Sequence, residues 1–123
     1  MRVNRLWPIP KEMKAYGAEF YKRIGKQLVV HGVLTELDKE SFVSLCRLYQ
    51  VEMLASNEID RFGVNVVGSK GVGMVKNPAV TTYKSALDMR IKLARKFFLT
   101  PGDRKGIDLK KPVKANGKEK YFA

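Results

Sequence analysis

The chain has 123 residues, with 24 Lys/Arg against 12 Asp/Glu for a formal charge of +12, and it holds one Cys and one His. That length supports one hydrophobic core, while a single cysteine excludes an internal disulfide and one Cys with one His excludes a zinc set. No run approaches the roughly 18 apolar residues of a spanning helix, and no apolar run with a small-residue cleavage site opens the chain, so a cytosolic protein without membrane association is expected.

The charge is unevenly divided. Residues 1–30 hold seven Lys/Arg against two acids, residues 31–77 five against six, and residues 78–123 twelve against four. A near-neutral middle between two cationic ends implies a surface that meets a polyanion, because each Lys or Arg on a phosphate releases a condensed counterion. Nucleic acid is the leading partner, ahead of a membrane surface or a protein kept soluble by its charge.

In chain order, Leu6-Trp7-Pro8-Ile9 reads as an extended arm, and Pro10 as the first turn of a helix running to about Val30. Met13, Tyr16, Phe20, Ile24 and Leu28 fall on one side of that helix, opposite Lys11, Lys14, Lys22 and Lys26. The lysines make either a phosphate-facing or a merely solvated stripe. Gly17 and Gly25 each weaken a helix by about 1 kcal/mol relative to Ala, which points to close packing against a neighbour.

His31-Gly32 has the look of a helix end, giving His31 a capping role rather than a catalytic one. Thr35 followed by Asp38 resembles a capping box that opens a second helix, with Phe42, Leu45, Cys46, Tyr49 and Met53 as its buried stripe and an end before Phe62-Gly63. Cys46 is then a buried thiol. A short connection and matching stripes predict an antiparallel pair.

Residues 63–76 break the helical pattern and read as a hairpin or irregular insert. Its order Gly-Ser-Lys at Gly68–Lys70 is not the Gly-Lys-Ser/Thr of a phosphate loop, where the lysine must reach the terminal phosphates. Val64, Val66, Val67, Val72 and Val75 exceed what a solvated loop needs, so they are expected at an oligomer interface.

Asn77-Pro78 caps and starts a third helix reaching about Leu99, with an apolar stripe of Val80, Tyr83, Leu87, Ile91, Ala94 and Phe98. Lys84, Lys92, Arg95 and Lys96 form one cationic shoulder. Thr100-Pro101-Gly102 stops the helix, and the remainder is too poor in apolar residues to fold alone. The fold class is mainly α: a three-helix antiparallel core with a hairpin-like or irregular insert between helices 2 and 3, in one domain over residues 1–103, followed by a basic tail over 104–123.

These pieces, in this order, resemble the phage terminase small subunits of the short family with a Thr-Pro-x-x-Arg signature. The residues that carry the likeness are Leu6-Trp7-Pro8, the aromatic helix with Tyr16 and Phe20, Gly32 to Asp38 opening helix 2, Leu48-Tyr49, the Gly-rich insert, Lys76-Asn77-Pro78, and Leu99-Thr100-Pro101-Gly102-Asp103-Arg104. The resemblance implies a non-catalytic DNA-packaging subunit acting in the host cell cytoplasm during virus assembly. Such a subunit forms a homo-oligomeric ring, binds double-stranded phage DNA at the packaging initiation site, and delivers it to a large subunit with ATPase and nuclease activities. Asp103 stands where the family often has Ser, and its charge would repel phosphate.

On this reading the DNA-binding residues are Lys11, Lys14, Lys22, Arg23 and Lys26 of helix 1, Lys92, Arg95 and Lys96 of helix 3, and Arg104, Lys105, Lys110 and Lys111 of the tail. Tyr121 and Phe122 have no evident core to join and are expected to contact the large subunit; otherwise the tail is a solubilising extension. A second helix that is net acidic and offers chiefly Arg47 and Arg61 to base edges favours phosphate contact over base reading. The alternative is a small basic RNA-binding or ribosome-associated protein. The acids Asp38, Glu40, Asp60 and Asp88 are scattered, without a nucleophile, base and orienter set, so neither catalysis nor a cofactor is expected.

Overall fold

The computed structural model describes residues 2–68, 71 and 73–99. Three helices follow one another: α1 (Ala15–Val30), α2 (Lys39–Phe62) and α3 (Pro78–Arg95), with a two-stranded antiparallel hairpin, β1 (Asn65–Val67) and β2 (Met74–Lys76), between α2 and α3. The mainly helical fold with an inserted hairpin is the architecture expected.

Contacts along the helices set their directions. Tyr16 reaches Asn57, Phe20 stacks on Tyr49 and Tyr21 meets Phe42, so α1 runs against α2. Arg90 pairs with Glu52, and Phe97 meets Phe42, so α3 runs against α2 as well. The core lies along α2, where Phe42, Leu45 and Cys46 are wholly buried with Tyr21, Leu28 and Leu34. Both helical glycines face close neighbours. A Cβ on Gly17 would come within 2.6 Å of Gln50 Oε1, and one on Gly25 within 2.8 Å of the Leu6 methyls and 3.1 Å of Phe42. Close approach of α1 to α2 and the arm therefore offsets their poor helix propensity.

Helix α1 starts five residues later than Pro10. Pro10 instead accepts the Met13 N–H (3.1 Å) in a tight turn, and Lys14 is extended with φ −131°. The arm is the reason. Tyr21 donates its hydroxyl to the carbonyls of Trp7 (2.9 Å) and Pro8 (3.3 Å), whereas a helix running back to Pro10 would carry that residue roughly 16 Å along the axis from Tyr21. The chain must turn back at 10–14 to lay Leu6 against Gly25. Val3, buried, then donates its N–H to Leu34 (2.9 Å), and Arg2 bridges Thr35.

Capping residues act much as read. Gly32 (φ 70°) donates to the Val29 carbonyl and Val33 to that of Leu28, the paired bonds of a Schellman end, with His31 buried at the cap position. Asp38 accepts from the Thr35 N–H (2.8 Å) and hydroxyl (3.0 Å), opening a 3₁₀ turn over Glu36–Asp38 that leads into α2. Asn77, buried, ties the other end together. Its Oδ1 accepts from Ala79 N–H (3.0 Å), its Nδ2 donates to the Gly63 carbonyl (2.9 Å), and its N–H donates to that of Val64 (2.7 Å).

The stripe of α3 departs from expectation at its end. Phe97, not Phe98, is buried, and Ile91 is 37% exposed. The helix stops at Arg95, and Phe98 takes φ 58°, the left-handed position of a second Schellman-like end in which Phe98 and Leu99 donate to the carbonyls of Arg95 and Ala94. Helical spacing no longer applies there, and the turn swings Phe97 onto Phe42.

Burial of Glu52 between α2 and α3 is matched by Arg90, whose guanidinium also lies over Tyr49. Replacing Arg90 by Ala should cost about 3–5 kcal/mol, since it leaves the buried Glu52 carboxylate without its partner, and Glu52→Ala should cost less because Arg90 is part-exposed, whereas Glu52→Leu with Arg90→Met should recover most of the loss. Chemical denaturation of the three variants measures this. Burial also pushes the Cys46 thiol up to about 12. Its unfolded value is roughly 8.5, so the neutral thiol's contribution is complete below that pH and declines as pH rises toward the folded value. The folded chain should resist thiol alkylation at pH 8 and react only on denaturation.

Candidate nucleic-acid interface

Because α1 and α3 both oppose α2, they run in the same direction and finish at the same end, beside the start of α2. Phe42 documents this by touching Tyr21 and the Gly25 site on one side and Phe97 on the other. Lys22 lies at the midpoint of α1 and Lys26 in its second half, and Lys92, Arg95 and Lys96 at the close of α3; all five are exposed. Lys22 with Lys26 and Lys92 with Lys96 are spaced i, i+4, so each pair points one way from its helix. Like charges so placed are mildly unfavourable, but helix C-termini carry partial negative charge that favours cations.

The arm adds charge to the same end. Arg2, bridged to Thr35, and Arg5 are exposed there, as is Lys39 at the start of α2. Periodicity could not find Arg2 and Arg5, because their placement depends on the arm folding back over α1, whereas Lys39, next to the capping box, was locatable from sequence. Acids at this end are partly engaged. Glu36 accepts from Trp7 Nε1 (3.2 Å) and Asp38 is held in the capping box, leaving Glu40 exposed.

Not every expected cation joins this group. Lys14 caps the opposite end of α1, roughly 18 Å along the axis from Lys26. Lys11 lies off the helix on the turn beside Glu12, which pairs with Arg47 at 2.8 Å. Arg23 is ion-paired with Glu19 (2.8 Å) and rests over the Phe20 ring; that hydrogen bond raises its pKa and ties up its charge. Arg104, Lys105, Lys110, Lys111, Tyr121 and Phe122 lie outside the described residues.

The other end of the bundle is apolar. Val64 (54%), Val67 (62%) and Val75 (49%) are exposed, Val66 is half-buried, and Val72 lies outside the described residues. Nearby, Val51, Leu54, Ala55 and Glu58 of α2 with Ala79 and Thr82 of α3 line an open groove of about 280 Å³. Among the described residues no group of three or more His, Cys, Asp or Glu is placed to hold a metal ion, and no helix is long and apolar enough to cross a membrane.

The arrangement can bind an extended polyanion at one end and an apolar partner at the other. Comparison with known proteins finds no matching curated protein and no matching solved structure. Residues 17–113 match the family described as phage terminase, small subunit. That match takes in most of the chain, from the first turn of α1 through the hairpin and α3 into the basic tail, and the chain therefore belongs to the phage terminase small-subunit family, whose work is phage DNA packaging in the infected host cell.

Proposed function

We propose that the protein is the non-catalytic, DNA-binding subunit of a packaging machine, gripping double-stranded phage DNA through phosphate contacts at the end where α1 and α3 finish. It engages the packaging initiation site as a ring of identical subunits and hands the DNA to a large subunit that carries the ATPase and nuclease. The observation that carries this reading is the gathering of Lys22, Lys26, Lys92, Arg95 and Lys96 with Arg2, Arg5 and Lys39 at one end of the bundle. The same end is where the chain leaves the bundle for residues 100–123, which add seven Lys/Arg against three acids. Phosphates are the fitting ligand for cations on helix ends and an arm, since such contacts need charge and reach rather than a base-reading helix. In the tail, Arg104, Lys105, Lys110 and Lys111 extend the phosphate contact, and Tyr121 with Phe122 engages the large subunit.

Duplex DNA affinity should fall steeply with salt and depend little on sequence. Lys92→Ala with Lys96→Ala should flatten the slope of log affinity against log salt by up to about 2, because each phosphate that a lysine neutralises adds about 0.9 to that slope. Fluorescence anisotropy between low and physiological ionic strength measures it, and a salt-independent affinity in the parent chain would remove the electrostatic argument. Deleting residues 106–123 should lower the same slope and weaken capture of the large subunit while leaving helicity and oligomer mass unchanged. Equal binding of both partners by the truncated chain would reduce the tail to a solubilising extension.

A further inference from the structure

Exposed apolar side chains and charge are distributed oppositely in this molecule. Among the described residues, nine of the eleven large apolar side chains left exposed fall between positions 51 and 91: Val51, Leu54, Phe62 and Val64, then Val67, Met74, Val75, Met89 and Ile91. That same stretch is nearly neutral, with four acids (Glu52, Glu58, Asp60, Asp88) against five cations (Arg61, Lys70, Lys76, Lys84, Arg90). Copies of a chain at +12 repel one another, and this is where they can approach without bringing the lysine groups together.

Two different shapes are presented there. The first is the exposed outer face of the hairpin strands. In its register Val67 stands opposite Met74, so the two side chains share one face, and they are 62% and 63% exposed. Lys76, two residues beyond Met74, lies on that face too and is exposed. Asn77 fixes the hairpin's base to Gly63 and Val64. The second shape is the groove of Val51, Leu54, Ala55 and Ala79, bordered by the exposed Glu58.

From this, and resting on the self-association in the proposed function, we infer that the groove between α2 and α3 is the receptor for the hairpin of a second copy of the chain. Val67 and Met74 of one subunit enter the groove over Leu54 and Ala55 of the next, and Lys76 of the first faces Glu58 of the second. Knob and groove are distinct surfaces, so the contact is head-to-tail; each subunit gives its hairpin to one neighbour and its groove to the other, and such a contact closes into a ring when the rotation permits. The phosphate-binding cations, at the far end, stay uncovered.

The full chain, by light scattering and native mass spectrometry, should be a discrete oligomer larger than a dimer. Met74→Asp (knob) and Leu54→Asp (groove) change exposed residues, so both variants should keep the parent's helicity by circular dichroism while becoming monomers. Mixed together, they should form a one-to-one dimer and nothing larger, because one intact knob meets one intact groove. Lys76→Glu should weaken assembly at least tenfold, and adding Glu58→Lys should restore it. A monomeric or two-fold dimeric parent chain, single variants of unchanged mass, or a mixture that stays monomeric would each overturn the inference. Salt-dependent duplex binding by the monomeric variants tests the DNA reading separately, since it should persist per chain when assembly is abolished.

Discussion

The rest of the structure depends on the packing around Phe42. This ring, fully buried, meets Tyr21 at 5.0 Å and Phe97 at 6.1 Å between centroids, and it approaches the site where Gly25 lacks a side chain. It therefore joins all three helices at one level of the bundle, while Leu6 of the arm lies against the same glycine. Aromatic contacts of this kind add roughly 0.5–1.5 kcal/mol per pair beyond area burial, which is a sizeable share of a small domain's net stability. More than stability is at stake, because the Phe42 cluster brings the closing turns of α1 and α3 to a common end.

That common end is where the cations gather. Neither α1 nor α3 would make an extended basic surface alone, since each supplies two or three exposed cations near its last turns. With their C-termini side by side and the arm folded back by the Tyr21 hydroxyl bonds to Trp7 and Pro8, charges as far apart in the sequence as Arg2 and Lys96 share one region. At the other end, Asn77 holds the junction of α2, hairpin and α3 and sets the apolar surfaces beside one another. The bundle is thus uneven along its axis, with the exposed cations concentrated at one end and most of the exposed apolar side chains toward the other.

Much of this was legible in the sequence wherever a local rule decides the outcome. Gly32 after His31, Thr35 with Asp38, and Asn77-Pro78 are signals whose physics lies within four residues, and each ends or starts an element where expected. The glycines of α1 announced a close approach, although only the fold reveals that Leu6, Phe42 and Gln50 are the neighbours. What was not legible was tertiary in origin. The late start of α1 follows from a hydroxyl on Tyr21 that reaches back to the arm, and the exchange of Phe98 for Phe97 follows from a left-handed residue that no glycine marks. Glu52 sits within the buried face of α2, where an acid is not expected unless Arg90 of another helix meets it. Helix periodicity likewise set Lys11 and Lys14 in a single stripe with Lys22 and Lys26, which the turn at Pro10 and the length of α1 separate.

The axial polarity bears on a physical conflict that the proposed assembly would bring to a cationic chain. Charges that attract a polyanion repel a neighbouring subunit, and at physiological salt that repulsion reaches only about 8 Å. Separation along the bundle still matters: Thr82 of the groove and Lys92 lie ten residues apart on α3, roughly 15 Å along its axis and about two screening lengths. Apolar contacts at one end can form without opposing the field at the other, and a polyanion at the basic end would lower the residual repulsion between subunits further. DNA binding and assembly would then favour each other through charge alone, without any change of shape in the bundle.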